Sequence, residues 1–141
     1  MQKFIVEGGI SLSGSITPSG NKNEALPVLA ATLLAHEPVT IHNVPDILDI
    51  AIMRELLVSL GVKIKQIDKH TFRFDSSHLQ SAVPDSGQAK RIRGSFLLAG
   101  PVLARSNSID LPAPGGDRIG LRPVHTHLLA LEKLGAEITL N

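Results

Sequence analysis

Residues Leu56–Ile64 read LLVSLGVKI, and residues Ala130–Ile138 read ALEKLGAEI. Both contain the pattern L-x-x-L-G-x-x-I, in which Leu57 corresponds to Leu131. Leucines at helical spacing before a glycine predict the end of an amphipathic helix, and the alternation after it predicts a strand. The same transition occurs twice, which favours a duplicated α/β unit. The alternative is that the two segments are alike only because many α/β units end a helix with Leu-Gly.

Upstream of both segments, LPVLAATLLA at 26–35 parallels SFLLAGPVLA at 95–104, so the repeat has a period of about seventy residues. The patterns predict helices over residues 21–37, 45–61, 89–104 (interrupted at Gly100–Pro101) and 123–135. They predict strands over residues 3–9, 10–20, 38–44, 62–67, 70–75, 108–111 and 136–140. The expected fold class is therefore α/β (α+β), with helices packed on sheet.

Composition restricts the function. The chain has 141 residues, 43% of them hydrophobic, and a formal net charge of +1, which argues against a general nucleic-acid or membrane binder. It has no cysteine, which excludes disulfides and thiolate zinc sites. The sequence MQKFIVEGG at the start lacks the apolar core of a signal peptide, and no apolar run is long enough for a membrane span. A cytoplasmic protein is therefore expected.

The repeat comparison singles out PAPGGDRIGLRP, residues 112–123, which contains three prolines, three glycines, Asp117, Arg118 and Arg122. The first unit joins strand to helix through little more than Val44–Asp46. An insertion at one junction of a repeated scaffold is where function is commonly added. From the residues alone, a turn-forming role is preferred for Asp117, because aspartate is common in turns such as Gly-Gly-Asp-Arg.

Cations precede or begin three of the four predicted helices, where the helix dipole disfavours them. They are Lys22 in the first helix, Lys90, Arg91 and Arg93 in the third, and Arg118 and Arg122 before the fourth. Free backbone N–H groups together with Lys and Arg favour a phosphate or carboxylate ligand. The alternative is that each cation is simply solvated.

The remaining candidates point to capping and packing. Asn21 and Asn23 flank Lys22, and at least one is expected to cap the first helix. His125 and His127 are two residues apart, a spacing that points them away from each other on a helix, so no metal site is expected there. Phosphate-loop and dinucleotide motifs are absent from the sequence.

Three longer stretches carry a family resemblance. SGNKNEALPVLAATLLA, KRIRGSFLLAGPVLAR and LPAPGGDRIGLRPVHTHLLALEKLGA resemble the N-terminal part of the UDP-N-acetylglucosamine 1-carboxyvinyltransferases. These enolpyruvyl transferases open peptidoglycan synthesis, and the resemblance covers essentially the whole chain. The related 3-phosphoshikimate 1-carboxyvinyltransferases are the alternative, but their P-G-S-K-S and N-A-G-T motifs are missing. A non-catalytic module that binds a phosphorylated ligand is a third possibility.

The resemblance implies repeated βαβαββ units that form part of an inside-out α/β barrel in two lobes. It implies that residues 1–21 belong to the other lobe, and that residues 22–141 are a partial lobe with repeats at about 22–75 and 90–141. Family members are far longer, so the chain is expected to be a fragment without turnover of its own. Its expected partners are UDP-N-acetylglucosamine, phosphoenolpyruvate and the remainder of the same enzyme chain; no nucleic acid, membrane, cofactor or metal is expected.

The resemblance also implies residue roles. Lys22 and Asn23 match the pair that contacts phosphoenolpyruvate, and Asp117 matches the catalytic proton donor on a mobile loop. The nucleotide-sugar contacts would be Arg93, Arg122, Pro123, Val124, His125 and Thr126, while Arg91 and Arg118 would support the anion site.

Two positions depart from the usual family pattern. Many members have cysteine where this chain has Asp117, and an acid is common where it has His125. Fosfomycin inactivates the cysteine form by alkylating the thiol, so insensitivity is expected here. A general acid must hold its proton, whereas Arg118 and Arg122 should lower the pKa of Asp117. We expect this aspartate to become a competent acid only when the loop closes over bound substrate.

Overall fold

A computed structural model describes residues 3–116, 120 and 123–140. The α-helices are α1 (Lys22–Ala31), α2 (Leu48–Ser59), α3 (Ser86–Ala89), α4 (Ala99–Ser106) and α5 (His125–Lys133). The strands are β1 (Val39–Ile41), β2 (Lys63–Gln66) and β3 (Phe72–Asp75). Two 3-10 helices, Thr32–Leu34 and Arg93–Leu98, run directly into or out of α-helices. The mixture of helix and sheet confirms the predicted fold class.

The three strands form one antiparallel sheet in the order β1-β3-β2. Phe74 of β3 lies opposite Val39 on one side and Ile64 on the other. Phe72 and Phe74 are both buried, because alternate residues of a strand point to the same face and this face packs on the helices. The three strands predicted between residues 38 and 75 are thus confirmed, with shorter bounds.

The core lies between the sheet and the helices α1 and α2. Their apolar side chains recur at helical spacing, and Leu29, Met53 and Leu57 are completely buried. Each such side chain contributes about 1.5–3 kcal/mol through the apolar surface it removes from water. Arg105 of α4 links the segment after α1 to the segment after β3. Its guanidinium donates to the carbonyl oxygens of Leu33 at 2.7 Å and Ser76 at 3.1 Å.

Both copies of the L-x-x-L-G motif end their helices in the same way. The N–H of Val62 donates to the carbonyl of Leu57 at 3.0 Å, and the N–H of Ala136 donates to the carbonyl of Leu131 at 3.0 Å. The glycine between them is left-handed in both, with φ of +100° at Gly61 and +99° in the second copy. This hydrogen-bond pattern is a Schellman cap, which confirms the helix end predicted for each copy.

We expect Gly61→Ala to lower the free energy of unfolding more than Gly135→Ala. Each change places a Cβ at a left-handed φ, which costs about 1–2 kcal/mol. At Gly61 the new Cβ would also lie 2.8 Å from the backbone nitrogen of Gln80, whereas nothing lies within 4 Å at Gly135. Overpacking of this kind adds roughly 1–3 kcal/mol. Urea denaturation of the two variants measures the difference, and equal losses would contradict the structure.

Four predicted strands are wrong. Residues 3–21 form neither helix nor strand, and residues 108–111 and 136–140 are also irregular. The physical reason is the lack of partners, since a strand is stable only when a neighbour satisfies its backbone groups. The N-terminal segment accordingly leaves apolar side chains in solvent: Phe4 is 91% exposed and Leu12 is 96% exposed. The assignment of residues 1–21 to another lobe remains a prediction.

The third predicted helix is interrupted between Ala89 and Arg93 and not at Gly100–Pro101 as expected. The chain leaves α3 at Ala89, turns through residues 90–92, and enters the 3-10 helix at Arg93. The hydroxyl of Ser95 donates to the carbonyl of Ile92 at 2.9 Å and closes this turn. Gly100 and Pro101 do not interrupt α4, because Pro101 occupies the first turn, where a helix needs no N–H donor from it.

Two helix starts also differ from prediction. Helix α2 begins at Leu48 rather than at Pro45, and its first-turn acid is Asp49. Helix α5 begins at His125 rather than at Pro123. Both differences leave the proline just outside the helix, where its fixed φ directs the incoming chain.

Candidate active site

A cleft of about 620 Å³ opens between the start of α1, the 3-10 helix Arg93–Leu98 and one side of α5. Its lining combines charged groups with apolar side chains. The lining residues are Lys22, Asn23, Leu26, Asp49, Arg91, Ile92, Arg93, Gly94, Phe96, Leu97, Ala99, Gly100, Pro101, Gly116, Val124, His127, Ala130 and Leu131.

The start of α1 brings Lys22 and Asn23 to the cleft. Asn21 is the N-cap, and its side-chain oxygen accepts a hydrogen bond from the N–H of Asn23 at 2.7 Å. The cap predicted for one of the two asparagines is therefore Asn21. It fixes the first turn, so that Lys22 and the side chain of Asn23 meet the cleft from a rigid helix end.

Lys22 forms an ion pair that the sequence analysis missed. Its Nζ lies 2.9 Å from Oδ2 of Asp49, which is in the first turn of α2 and also lines the cleft. An acid in the first turn of a helix is ordinary, because it complements the helix dipole. The sequence alone therefore gave no signal that this one faces Lys22.

The second cationic group comes from the turn before the 3-10 helix. Arg91 donates from Nη1 to the side-chain oxygen of Gln88 at 2.7 Å, and Arg93 donates from Nη2 to the carbonyl of Pro123 at 3.4 Å. Lys90 is the C-cap residue after α3 and is not among the lining residues described. The sequence analysis placed Lys90, Arg91 and Arg93 together at the start of one helix. That prediction is wrong, because Lys90 and Arg93 belong to two successive elements.

Gly94 explains why the two cationic groups share one cleft. A Cβ at this position would lie 3.0 Å from Cδ1 of Leu26, so the absence of a side chain lets the 3-10 helix pack closely against α1. Lys22 is thereby brought to the same cavity as Arg93. Of the cations predicted to form an anion site, Lys22, Arg91 and Arg93 line this cleft, and the anion site itself stays a prediction.

The base of the predicted loop lies against the cationic turn. A Cβ at Gly115 would overlap the carbonyl oxygen of Lys90, and one at Gly116 would lie 3.0 Å from the nitrogen of Arg93. Gly116 also has φ of +90°. Both positions therefore need glycine for close approach. Asp117, Arg118 and Arg122 themselves lie outside the described residues.

The start of α5 forms the far wall of the cleft. Val124, a predicted nucleotide-sugar contact, lines the cleft, and so does His127, which was assigned no role. The His127 ring packs edge-on against Phe96, with ring centroids 5.5 Å apart. His125 and Thr126 are exposed in the first turn of α5 and are not among the described lining residues, so this structure brings Val124 but not these two to the cleft.

Among the described residues, the carboxylates whose pKa values shift lie away from the cleft. The backbone N–H of His70 lowers the pKa of Asp68, and the hydroxyl of Ser77 lowers the pKa of Asp75. Each aspartate accepts a hydrogen bond from the residue two positions later in the chain, an arrangement typical of turns. Neither lines the cleft, so these shifts mark loop structure and not chemistry.

Within residues 3–116, 120 and 123–140, no three histidines or carboxylates are grouped so as to hold a metal ion. Over the same ranges, none of the helices has the length and apolar character needed to cross a membrane.

The chain is similar to known enolpyruvyl transferases over nearly its whole length. It is 50% identical over 137 residues to the UDP-N-acetylglucosamine 1-carboxyvinyltransferase of Bradyrhizobium diazoefficiens, covering 97% of this chain and 32% of that protein. It is 43% identical over 141 residues to the enzyme of the same name from Treponema pallidum, covering 100% and 33%. The chain thus spans about a third of the length of these relatives.

A solved structure and a family model agree with this similarity. The enolpyruvyl transferase NikO from Streptomyces tendae matches with a TM-score of 0.59 and 33% identity, over 70% of this chain and 23% of that one. The family model described as EPSP synthase (3-phosphoshikimate 1-carboxyvinyltransferase) matches residues 6–141. By this match, the chain belongs to the EPSP synthase family of enolpyruvyl transferases.

Proposed function

We propose that this chain forms the substrate cleft of an enzyme that transfers enolpyruvate from phosphoenolpyruvate to the 3-hydroxyl of UDP-N-acetylglucosamine, with release of phosphate. This reaction is the first committed step of peptidoglycan synthesis, and we place it in the cytoplasm. The observation that carries the proposal is the meeting of Lys22, Asn23 and Arg93 in one cleft. The names of the relatives support the choice of acceptor.

The cleft suits substrates that combine several negative charges with apolar or ring surfaces. Lys22 and Arg93 supply positive charge, to which the phosphate and carboxylate of phosphoenolpyruvate would bind. Phe96, Leu97 and Val124 supply apolar wall along which a nucleotide sugar would lie. Arg122, Pro123, His125 and Thr126 remain proposed sugar-nucleotide contacts, and Arg91 and Arg118 remain proposed supports of the anion site.

The chemistry requires an addition followed by an elimination. The 3-hydroxyl oxygen bonds to C2 of phosphoenolpyruvate while that hydroxyl loses its proton to a base and C3 gains a proton. The tetrahedral intermediate then loses a proton from C3, and the C2–O bond to phosphate breaks, which leaves an enolpyruvyl ether and free phosphate. Lys22 and the arginines would stabilise the phosphate and carboxylate charges throughout.

We propose Asp117 as the acid that protonates C3. Support comes from the chain itself: Gly116 lines the cleft, and the next residue is joined to it by one peptide bond, about 3.8 Å between Cα atoms. A general acid contributes about 10²–10⁴-fold to a rate when it is held within reach of the reacting carbon.

The sister reaction is the second candidate, because the matching family model is described as 3-phosphoshikimate 1-carboxyvinyltransferase. Calorimetric titration of this chain separates the two. We expect heat of binding with UDP-N-acetylglucosamine, and further binding when phosphoenolpyruvate follows, but none with 3-phosphoshikimate. Binding of 3-phosphoshikimate alone would overturn the proposal in favour of the sister reaction. Binding of phosphoenolpyruvate without either acceptor would favour a phospho-ligand module.

Turnover is measured in a longer protein, here termed the joined enzyme. It consists of this chain fused to the remaining two thirds of the Bradyrhizobium diazoefficiens relative, of which the chain covers 32%. Release of inorganic phosphate from phosphoenolpyruvate, dependent on UDP-N-acetylglucosamine, is the expected activity.

A further inference from the structure

The ion pair between Lys22 and Asp49 is placed where it can affect every anion that enters the cleft. The two side chains come from different helices, their charged atoms are 2.9 Å apart, and both line the cavity. Their side chains are 49% and 34% exposed. Water and small solutes therefore reach the pair directly, and the carboxylate can leave the ammonium without unfolding either helix.

A carboxylate in this position opposes anion binding. An incoming phosphate oxygen needs the same ammonium group that Asp49 contacts, and it meets a like charge a few ångströms away. Two like unit charges about 4 Å apart repel each other even in bulk water, and more strongly beside a protein surface. The anion must therefore either displace the carboxylate or bind against its repulsion.

We propose that Asp49 is a resting counter-ion of Lys22: an anionic substrate displaces it, and its return helps to expel the phosphate product. This inference rests on the proposed function in one respect, that the cleft takes an anionic substrate at Lys22. It assigns Asp49 a regulatory part in binding and release, acting through Lys22 and not on the reacting carbons.

An alternative role for Asp49 is purely structural, as the first-turn acid of α2. Asp46 provides a matched control. It is an exposed acid three residues earlier, next to the start of the same helix, and it lines a separate small pocket rather than the cleft. Asp46→Asn removes the same unit charge from the same region without touching the ion pair.

The test is titration of this chain with inorganic phosphate at pH 7.5 and constant ionic strength. We expect Asp49→Asn to bind phosphate about two- to fivefold more tightly than the wild type, the range that measured surface ion pairs imply. Asp46→Asn should change the affinity for phosphate by no more than the loss of one distant charge does. Asp49→Glu keeps the negative charge beside Lys22 and should bind phosphate like the wild type. Unchanged or weaker binding by Asp49→Asn would overturn the proposal, as would an equal gain in Asp46→Asn.

A measurement on the unaltered chain covers the case in which Asp49→Asn fails to fold. Phosphate added to the wild type should shift the carboxyl ¹³C resonance of Asp49 in step with binding, while that of Asp46 stays constant. No shift at Asp49 at saturating phosphate would refute displacement. Because inorganic phosphate is the probe, the result does not depend on which acceptor the enzyme uses. Failure to bind UDP-N-acetylglucosamine would count against the proposed function, and not against the displacement of Asp49 by phosphate.

Discussion

Lys22→Met should lower turnover of the joined enzyme by about 10²–10³-fold, the cost typical of removing one preorganised group that stabilises charge in a transition state. Lys22 is the first residue of α1 and lines the cleft, so a capped helix holds its ammonium at the site. Methionine keeps the length and apolar character of the stem but has no charge. We therefore expect the fold to survive and phosphoenolpyruvate binding to be lost, which calorimetry and a phosphate-release assay measure together.

Lys63→Met is the matched control for this change. Lys63 is an exposed residue at the start of β2 and is not among the residues that line the cleft. Its replacement removes one positive charge from the chain but none from the site, so turnover should stay within about twofold because exposed charges interact weakly. Equal losses in the two variants would show that net charge, and not the position of Lys22, matters.

Local signals in the sequence predicted helix ends well. The L-x-x-L-G pattern identified Gly61 and Gly135 as helix stops, because a Schellman cap is built from consecutive residues and needs only a glycine that accepts positive φ. The strands after the two glycines differ although their sequences are alike. Lys63–Gln66 pairs with β3, whereas residues 136–140 remain irregular in this chain. Pairing depends on a partner, which a local pattern does not show.

The site was predicted in part for the same physical reason. Lys22 and Arg93 were identified because cations at helix starts are unfavourable without an anion, and that signal is local. Their meeting in one cleft depends on the close packing at Gly94 and Leu26, which no spacing rule reveals. The ion pair between Lys22 and Asp49 joins two helices, so it also depends on packing that the local sequence does not show.

Asp117→Asn should reduce turnover of the joined enzyme by about 10²–10⁴-fold, the range for loss of a general acid. Asparagine keeps the size and hydrogen-bonding capacity of the side chain but has no proton to give to a carbon. Substrate binding should therefore persist while the maximal rate falls, so that kcat drops and KM changes little. A variant with near wild-type kcat would remove Asp117 from the mechanism.

Asp117→Cys distinguishes a chemical role from a structural one. A thiol also carries a transferable proton, so the cysteine variant should recover much of the activity that asparagine loses, whereas a turn-forming role would be kept by asparagine and lost with cysteine. The two forms should also differ in reactivity, because a thiolate opens an epoxide far more readily than a carboxylate does. Preincubation with fosfomycin should leave the wild-type joined enzyme active and inactivate Asp117→Cys with time. Time-dependent inactivation of the aspartate form would show that its carboxylate is nucleophilic enough to be alkylated, contrary to its assignment as an acid that holds its proton in the closed site.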